Sequence, residues 1–294
     1  MRKVLLFAAA LLTLVLLFGC SETPQITNSS DSSNLGPLVQ RPEFIDLRPQ
    51  STISTFTMKP TFQPPTAYKP PKPPPDTGGA DPNPNPAHKY VYIVGISDYE
   101  GTANDLQYCD DDAQDMRSYY QSQGFTIRMD VDRNATADAV QAGLEWLVAS
   151  AVPGDEIAFA YSGHGAKAPT YGSSLISTDL YYLTHGWVMQ FINGANCTKK
   201  NVTFDACEAG DFLADCQTGM VLATASTSGF SYDAPDLQNG AWTYYWIYGV
   251  TSAGKIYAED AATYAETGMK AWARINHLRV SPSHTDMYTG SLDM

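Results

Sequence analysis

Basic side chains are scarce in this sequence: 18 Lys and Arg stand against 31 Asp and Glu, a formal net charge of -13. No cluster of Lys or Arg interrupts that excess of acid. Without one a chain cannot neutralise nucleic-acid phosphates, which excludes nucleic acid as a partner. Between Lys200 and Lys255 there is no Lys or Arg at all. Histidine is rare too, and His185, His277 and His284 share no metal-ligand spacing with the cysteines, which argues against zinc. From Gly165 to His185 the only carboxylate is Asp179, too few for a calcium site that wants several oxygens. Neither a metal nor any other cofactor is expected.

Long apolar runs are confined to one place. Arg2 and Lys3 precede an apolar stretch from Val4 to Phe18, and Gly19 and Cys20 follow, the layout of an export signal. The stretch is somewhat short of the roughly 20 residues a spanning helix needs. Leu17-Phe18-Gly19-Cys20 resembles the bacterial lipobox, so residues 1–19 read as a lipoprotein signal peptide and Cys20 as the lipidated terminus. The expected location is extracytoplasmic, anchored by lipid to a cell membrane. Ser21, rather than Asp, favours the outer membrane where a cell has one. Residues 20–87 are rich in Pro, Ser, Thr and Asn, include Lys69-Pro-Pro-Lys-Pro-Pro-Pro75, and cannot bury a core; they read as a disordered, Pro-rich tether. With Cys20 lipidated, Cys109, Cys197, Cys207 and Cys216 remain. In an exported chain Cys197 and Cys216 could pair, but connectivity is not deducible from sequence.

A domain over 88–294 opens with Tyr90-Val-Tyr-Ile-Val-Gly-Ile96, a β-branched and aromatic run suited to a buried strand. Helical spacing covers Asn104 to Gln123 and stops at Gly124, and Phe125 to Val131 reads as the next strand. Thr136 can cap a helix through Val140, Leu144, Trp146 and Leu147. Strands are expected at Glu156–Tyr161, Asn201–Phe204 and Met220–Thr224. Helices are expected at Leu183–Ile192, Ala241–Tyr248 and Ala261–Ile275. Alternation of this kind implies a mainly parallel sheet covered on both faces, with functional loops at the strand C-terminal ends.

Two strand ends carry suggestive residues: Tyr161-Ser-Gly-His-Gly165 and Asp205-Ala-Cys-Glu-Ala-Gly210. Alone, a His beside glycines reads as a turn and a Cys after an apolar strand as a small buried filler. Adjacent parallel strands would bring His164 and Cys207 close enough for nucleophilic catalysis. These motifs, with the opening strand and Asn104-Asp-Leu-Gln-Tyr-Cys-Asp-Asp-Asp112, resemble the caspase and metacaspase superfamily of cysteine peptidases from about residue 89 onward. Asp205-Ala-Cys207 is the metacaspase and bacterial form, where caspases proper have Gln-Ala-Cys. Glu208-Ala209-Gly210 departs from the usual tail, which bears on substrate preference.

The resemblance implies an α/β caspase-like three-layer fold, with a mainly parallel central sheet covered by helices on both faces. It implies Cys207 as nucleophile, His164 as proton shuttle, and the N–H groups of Gly165 and Cys207 as oxyanion hole. By motif, Asp112, Ser162 and Asp205, with Cys109 nearby, would bind the substrate, and cleavage would follow Lys or Arg. Asp110 and Asp111 leave a solvated helix face as the other reading of Asp112. The Phe230–Asn239 stretch reads as the specificity loop. Expected partners are a protein or peptide substrate and, through Cys20, a membrane, the chain acting as a monomer. The rival readings are a catalytically silent binding module on the same fold, and a legumain-like or gingipain-like peptidase.

Overall fold

The computed structural model describes residues 80–294 and Val39–Gln40. The signal peptide, Cys20 and the tether up to residue 79, apart from that dipeptide, lie outside the described residues. The apolar runs form strands β2 (Lys89–Gly95), β3 (Thr126–Val131), β4 (Glu156–Ser162), β8 (Lys199–Asp205) and β9 (Met220–Thr224). All pair in parallel, and β12 (Ser283–Asp286) adds an antiparallel edge, giving the order β12-β9-β8-β4-β2-β3. β12 escaped the sequence reading because Ser-His-Thr-Asp has no apolar alternation.

Successive strand residues point to opposite faces, so each strand serves two cores. Tyr92, Val94, Phe159, Tyr161, Val202, Phe204 and Leu222 face α2 (Ala137–Ser150) and α3 (His185–Gly194). Val91, Ile93, Ala158, Ala160, Val221 and Ala223 face α1 (Cys109–Ser122), α5 (Ala241–Thr251) and α6 (Ala258–Ile275). The first face carries large strand side chains such as Phe159 and Phe204, each contributing about 2 to 3 kcal/mol by burial. Opposite it, small strand residues leave room for Trp242, Trp246 and Trp272, all fully buried. The result is the three-layer α/β architecture with a mainly parallel sheet.

Two local departures from expectation have clear causes. Helix α1 starts at Cys109, not Asn104, because the Ser97 hydroxyl accepts from the N–H groups of Cys109 (3.0 Å) and Asp110 (3.2 Å). That caps the helix from outside and frees residues 105–108 to form a loop. Where only a helix from Leu183 was expected, a small antiparallel sheet stands over the strand ends: β5 (Gly165–Ala168), β6 (Gly172–Ile176) and β7 (Tyr181–Thr184), with β1 (Val39–Gln40) on its edge. Helix α3 begins after it, with the Thr184 hydroxyl accepting from Trp187 N–H (3.4 Å).

Cys109, Cys197, Cys207 and Cys216 are all free thiols, so the Cys197–Cys216 pairing left open above is not formed. The thiols of that pair are turned to backbone carbonyls instead, Cys197 toward Lys199 O and Cys216 toward Met220 O and Thr285 O.

Candidate active site

Gly95, Ser162 and Asp205 pair across three neighbouring strands, so β2, β4 and β8 end level. One step further the ladder continues, with Ile96 N–H donating to Ser162 O (3.0 Å) and Gly163 N–H to Asp205 O (3.1 Å). The topology therefore delivers His164 and Cys207 side by side, and both line a cleft of about 270 Å³ with Leu106, Cys109, Ser162, Asp205, Ser231 and Asp233. His164 is buried and Cys207 half-buried. The Cys207 thiol sulfur accepts from Ser231 N–H at 3.2 Å.

Both glycines flanking His164 are required by close approach. A Cβ on Gly165 would lie 2.0 Å from Cys207 O and 2.9 Å from Cys207 N, so glycine alone lets this backbone lie against the thiol residue. A Cβ on Gly163 would lie 2.6 Å from the Tyr99 hydroxyl and 2.7 Å from that of Tyr161. On its far side the His164 ring nitrogen Nε2 is 2.7 Å from the backbone carbonyl oxygen of Asn104, the last residue of a 3-10 turn (Thr102–Asn104) just before the loop that precedes α1. A ring N–H donated there leaves Nδ1 to act as base. Sequence reasoning missed this partner, since a backbone carbonyl carries no residue signature.

Asp112, Ser162 and Asp205 do come together. Asp112 is buried, not on a solvated face; it accepts from Ser162 Oγ (2.6 Å), Asn239 Nδ2 (3.1 Å) and Gly240 N–H (2.9 Å). Asp205 accepts from Ser231 Oγ (2.5 Å), Thr243 N–H (3.0 Å) and Thr243 Oγ1 (3.1 Å). Gly240 lies against both, since a Cβ there would be 2.2 Å from Asp205 Oδ2 and 2.6 Å from Asp112 Oδ2. Every hydrogen-bond donor named here is neutral. Burial, and next the charge of Asp205, push the Asp112 carboxyl well above its ordinary range, and burial pushes Asp205 up to about 6.

Cys109 is buried with its thiol 3.8 Å from Asp233 Oδ1, and burial followed by the charge of Asp233 raises its ionisation well above a normal thiol's. That makes it an unreactive wall residue. Ser231, Asp233 and Asn239 all sit in the Phe230–Asn239 loop, whose composition marks none of them for a role, and Thr243 lies in an apolar helical stretch. Among the described residues no cluster of three or more His, Cys, Asp or Glu could hold a metal.

A strand-end thiol and imidazole above a three-layer α/β sheet define a caspase-like fold. Residues 88–277 match the caspase domain family, and the chain belongs to it. It is similar to Metacaspase-1 of Schizosaccharomyces pombe, 29% identical over 145 residues, covering 41% of this chain and 34% of that protein. Metacaspase-1 of Kluyveromyces lactis is 33% identical over 123 residues, covering 36% and 28%. That of Scheffersomyces stipitis is 33% identical over 87 residues, covering 26% and 21%. The similarity thus spans about a fifth to a third of these metacaspases. A crystal structure of a protein from Geobacter sulfurreducens shares the fold, with TM-score 0.55 and 16% identity over 70% of this chain and 97% of that one.

Proposed function

We propose that this chain is a cysteine endopeptidase that cleaves after Lys or Arg. The observation that carries the reading is the pair of buried carboxylates, Asp112 and Asp205, held by neutral donors alone beside a thiol and an imidazole that share one cleft. A substrate ammonium or guanidinium would supply the missing positive charge, offsetting its own desolvation.

In the reaction, the Cys207 thiol passes its proton to His164 as Sγ attacks the scissile carbonyl, and the N–H groups of Gly165 and Cys207 stabilise the oxyanion, worth roughly 3 kcal/mol each. His164 then protonates the departing amine, leaving a thioester that water hydrolyses with His164 as base. With no Lys or Arg between Lys200 and Lys255, such an enzyme does not cut itself after the nucleophile, and it acts as a single chain. The test is hydrolysis of a mixed peptide library by the purified chain beside Cys207→Ala and His164→Ala. Turnover after basic residues should vanish in both variants; retained turnover in either, or a preference for Asp, overturns the reading.

We also propose that Cys20 is lipidated and holds the protein at a membrane outside the cytoplasm. Cys20→Ser should move the protein from the membrane to the soluble fraction once the signal is removed. Continued membrane retention would sink the anchor.

A further inference from the structure

The mechanism above asks His164 to sit within hydrogen-bond reach of a thiol and a leaving amine, which makes the accuracy of its placement decisive. Three features of the structure bear on that placement. The first is a pair of buried tyrosines: the Tyr99 hydroxyl accepts from His164 N–H (2.8 Å), and the Tyr161 hydroxyl faces His164 O at 2.9 Å. The two hydroxyls are 3.4 Å apart, and Tyr161 also bonds the backbone of Ile176, to O at 2.8 Å and from N–H at 3.2 Å. Each hydroxyl has one proton, so the circuit has one consistent direction: His164 N–H to Tyr99, Tyr99 to Tyr161, and Tyr161 to the carbonyls of His164 and Ile176 in turn.

The second feature is ring contact. The Tyr99 ring lies 4.7 Å from the His164 imidazole at 50°, so one side chain holds both the backbone and the ring of the histidine. Finally, there is Gly163, whose missing Cβ is what allows both hydroxyls to reach the His164 peptide. The Tyr99 hydroxyl and ring and the Asn104 carbonyl thus hold the backbone, the ring face and the Nε2 edge of His164, with Gly163 leaving room for the contact.

We infer that Tyr99 and Tyr161 are positioning residues for His164, a hydroxyl circuit that grips its peptide and fixes the imidazole toward Cys207. This inference rests on the peptidase reading, yet one arm of its test does not need turnover. Neither tyrosine lines the cleft, so neither touches substrate. Their removal should slow chemistry and leave binding alone.

The experiment uses the full chain in detergent, with Tyr99→Phe, Tyr161→Phe and the double variant, each checked by thermal melting. In Tyr99→Phe, kcat for a Lys or Arg peptide should fall about tenfold to a hundredfold with KM within about twofold. The double variant should lose less than the product of the singles, because one circuit is broken either way. Independently, the pH dependence of Cys207 alkylation by iodoacetamide, read by peptide mass spectrometry, reports the thiolate–imidazolium pair. Its acid limb should move up by about one pH unit in Tyr99→Phe.

If the wild type hydrolyses nothing, the peptidase reading fails, while the alkylation profile still decides the placement. A limb coincident with wild type, in a variant that melts where wild type does, overturns the inference. Should Tyr99→Phe not fold, Tyr161→Phe keeps the His164 N–H bond and decides by the same profile: an upward shift supports the circuit, and no shift overturns it.

Discussion

Ionisable side chains gather at both ends of strands β4 and β8, and the two ends are built in opposite ways. At their N-terminal ends Lys199 is fully buried against Asp81 (2.9 Å), Glu156 (3.5 Å) and Asp293, with Lys89 also 3.5 Å from Glu156. The Glu156 oxygens have no hydrogen bond among the described residues and rely on charge alone. At the C-terminal ends the balance is reversed: both oxygens of Asp112 and of Asp205 are hydrogen-bonded, and among the described residues neither has a Lys or Arg partner. The first arrangement has its own lysines, although burial still lifts the Glu156 carboxyl to about 7; the second gains from an added positive charge. A buried carboxylate cluster with its own lysine stabilises the fold, and one without it is suited to binding.

Breaking the lysine-bearing end should have the larger effect. Lys199→Met would leave Asp81, Glu156 and Asp293 without their shared cation. Removing one partner of a buried ion pair costs about 3 to 5 kcal/mol. For a domain of this size that lowers the melting temperature by roughly 10 °C. The same cluster ties Asp81, at the end of the tether, and Asp293, near the C-terminus, to the sheet, with Tyr288 donating to Asp81 (2.5 Å). Below the melting range kcat/KM should stay within about twofold of wild type, since the cleft of His164 and Cys207 lies at the other end. Scanning calorimetry and steady-state kinetics check both halves, and a fall in activity without a fall in stability would erase the distinction.

The uncompensated end should respond in the opposite sense. Asp205→Asn and Asp112→Asn each remove a charge that the substrate would pair with, so KM for basic peptides should rise about tenfold to a hundredfold. Stability should hold or rise. Burial lifts the folded-state ionisation of Asp205 to about 6, above the unfolded carboxylate value, so the charged form is disfavoured by folding. Its contribution is therefore harmless at low pH and turns destabilising as pH climbs from about 4 through 6. The melting temperature of Asp205→Asn should pull ahead of wild type over that window and keep a constant lead above it. A lead already present at pH 3, or none at pH 8, would show that Asp205 is not a disfavoured charge.

Much of the site was legible in the sequence because it sits where the periodicities end. The apolar runs at Tyr90, Glu156 and Asn201 predicted the strands, and His164 and Cys207 follow two of them directly. Asp112, by contrast, was ambiguous between surface and pocket, since Asp110 and Asp111 beside it look the same and only the three-dimensional path of α1 buries one of the three. The Asn104 carbonyl and the Tyr99 and Tyr161 hydroxyls left no trace: one is a backbone atom, Tyr161 ends an apolar run that explains it as core, and Tyr99 sits in a polar stretch after β2 that carries no motif. The small sheet β5–β7 was missed because Gly165–Ala168 and Gly172–Ile176 are short and rich in small residues. Its pairing is imposed from outside, by Gly165 against Cys207 and by Ser173 Oγ donating to Glu208 O (2.5 Å).

Asp233 offers the finest division between the two kinds of carboxylate, because it belongs to the acidic cleft without being buried like Asp112 and Asp205. Its Oδ2 accepts from Gln107 N–H (2.9 Å), and its Oδ1 faces the Cys109 thiol (3.8 Å), so it ties the loop before α1 to the Phe230–Asn239 loop. Being half-exposed, its charge is screened by water, and a pair with a substrate cation there is worth about 0.2 to 1 kcal/mol. Asp233→Asn keeps an oxygen for Gln107 and removes only the charge. KM for a basic peptide should therefore rise no more than about threefold to fivefold at low salt, with kcat unchanged. Because a rim charge is screened and a buried one is not, that increment should shrink toward nothing at 0.5 M salt, while the effect of Asp205→Asn persists. Equal salt sensitivity in the two variants would mean that the carboxylates share one solvent-exposed site, and that burial is not what sets Asp112 and Asp205 apart.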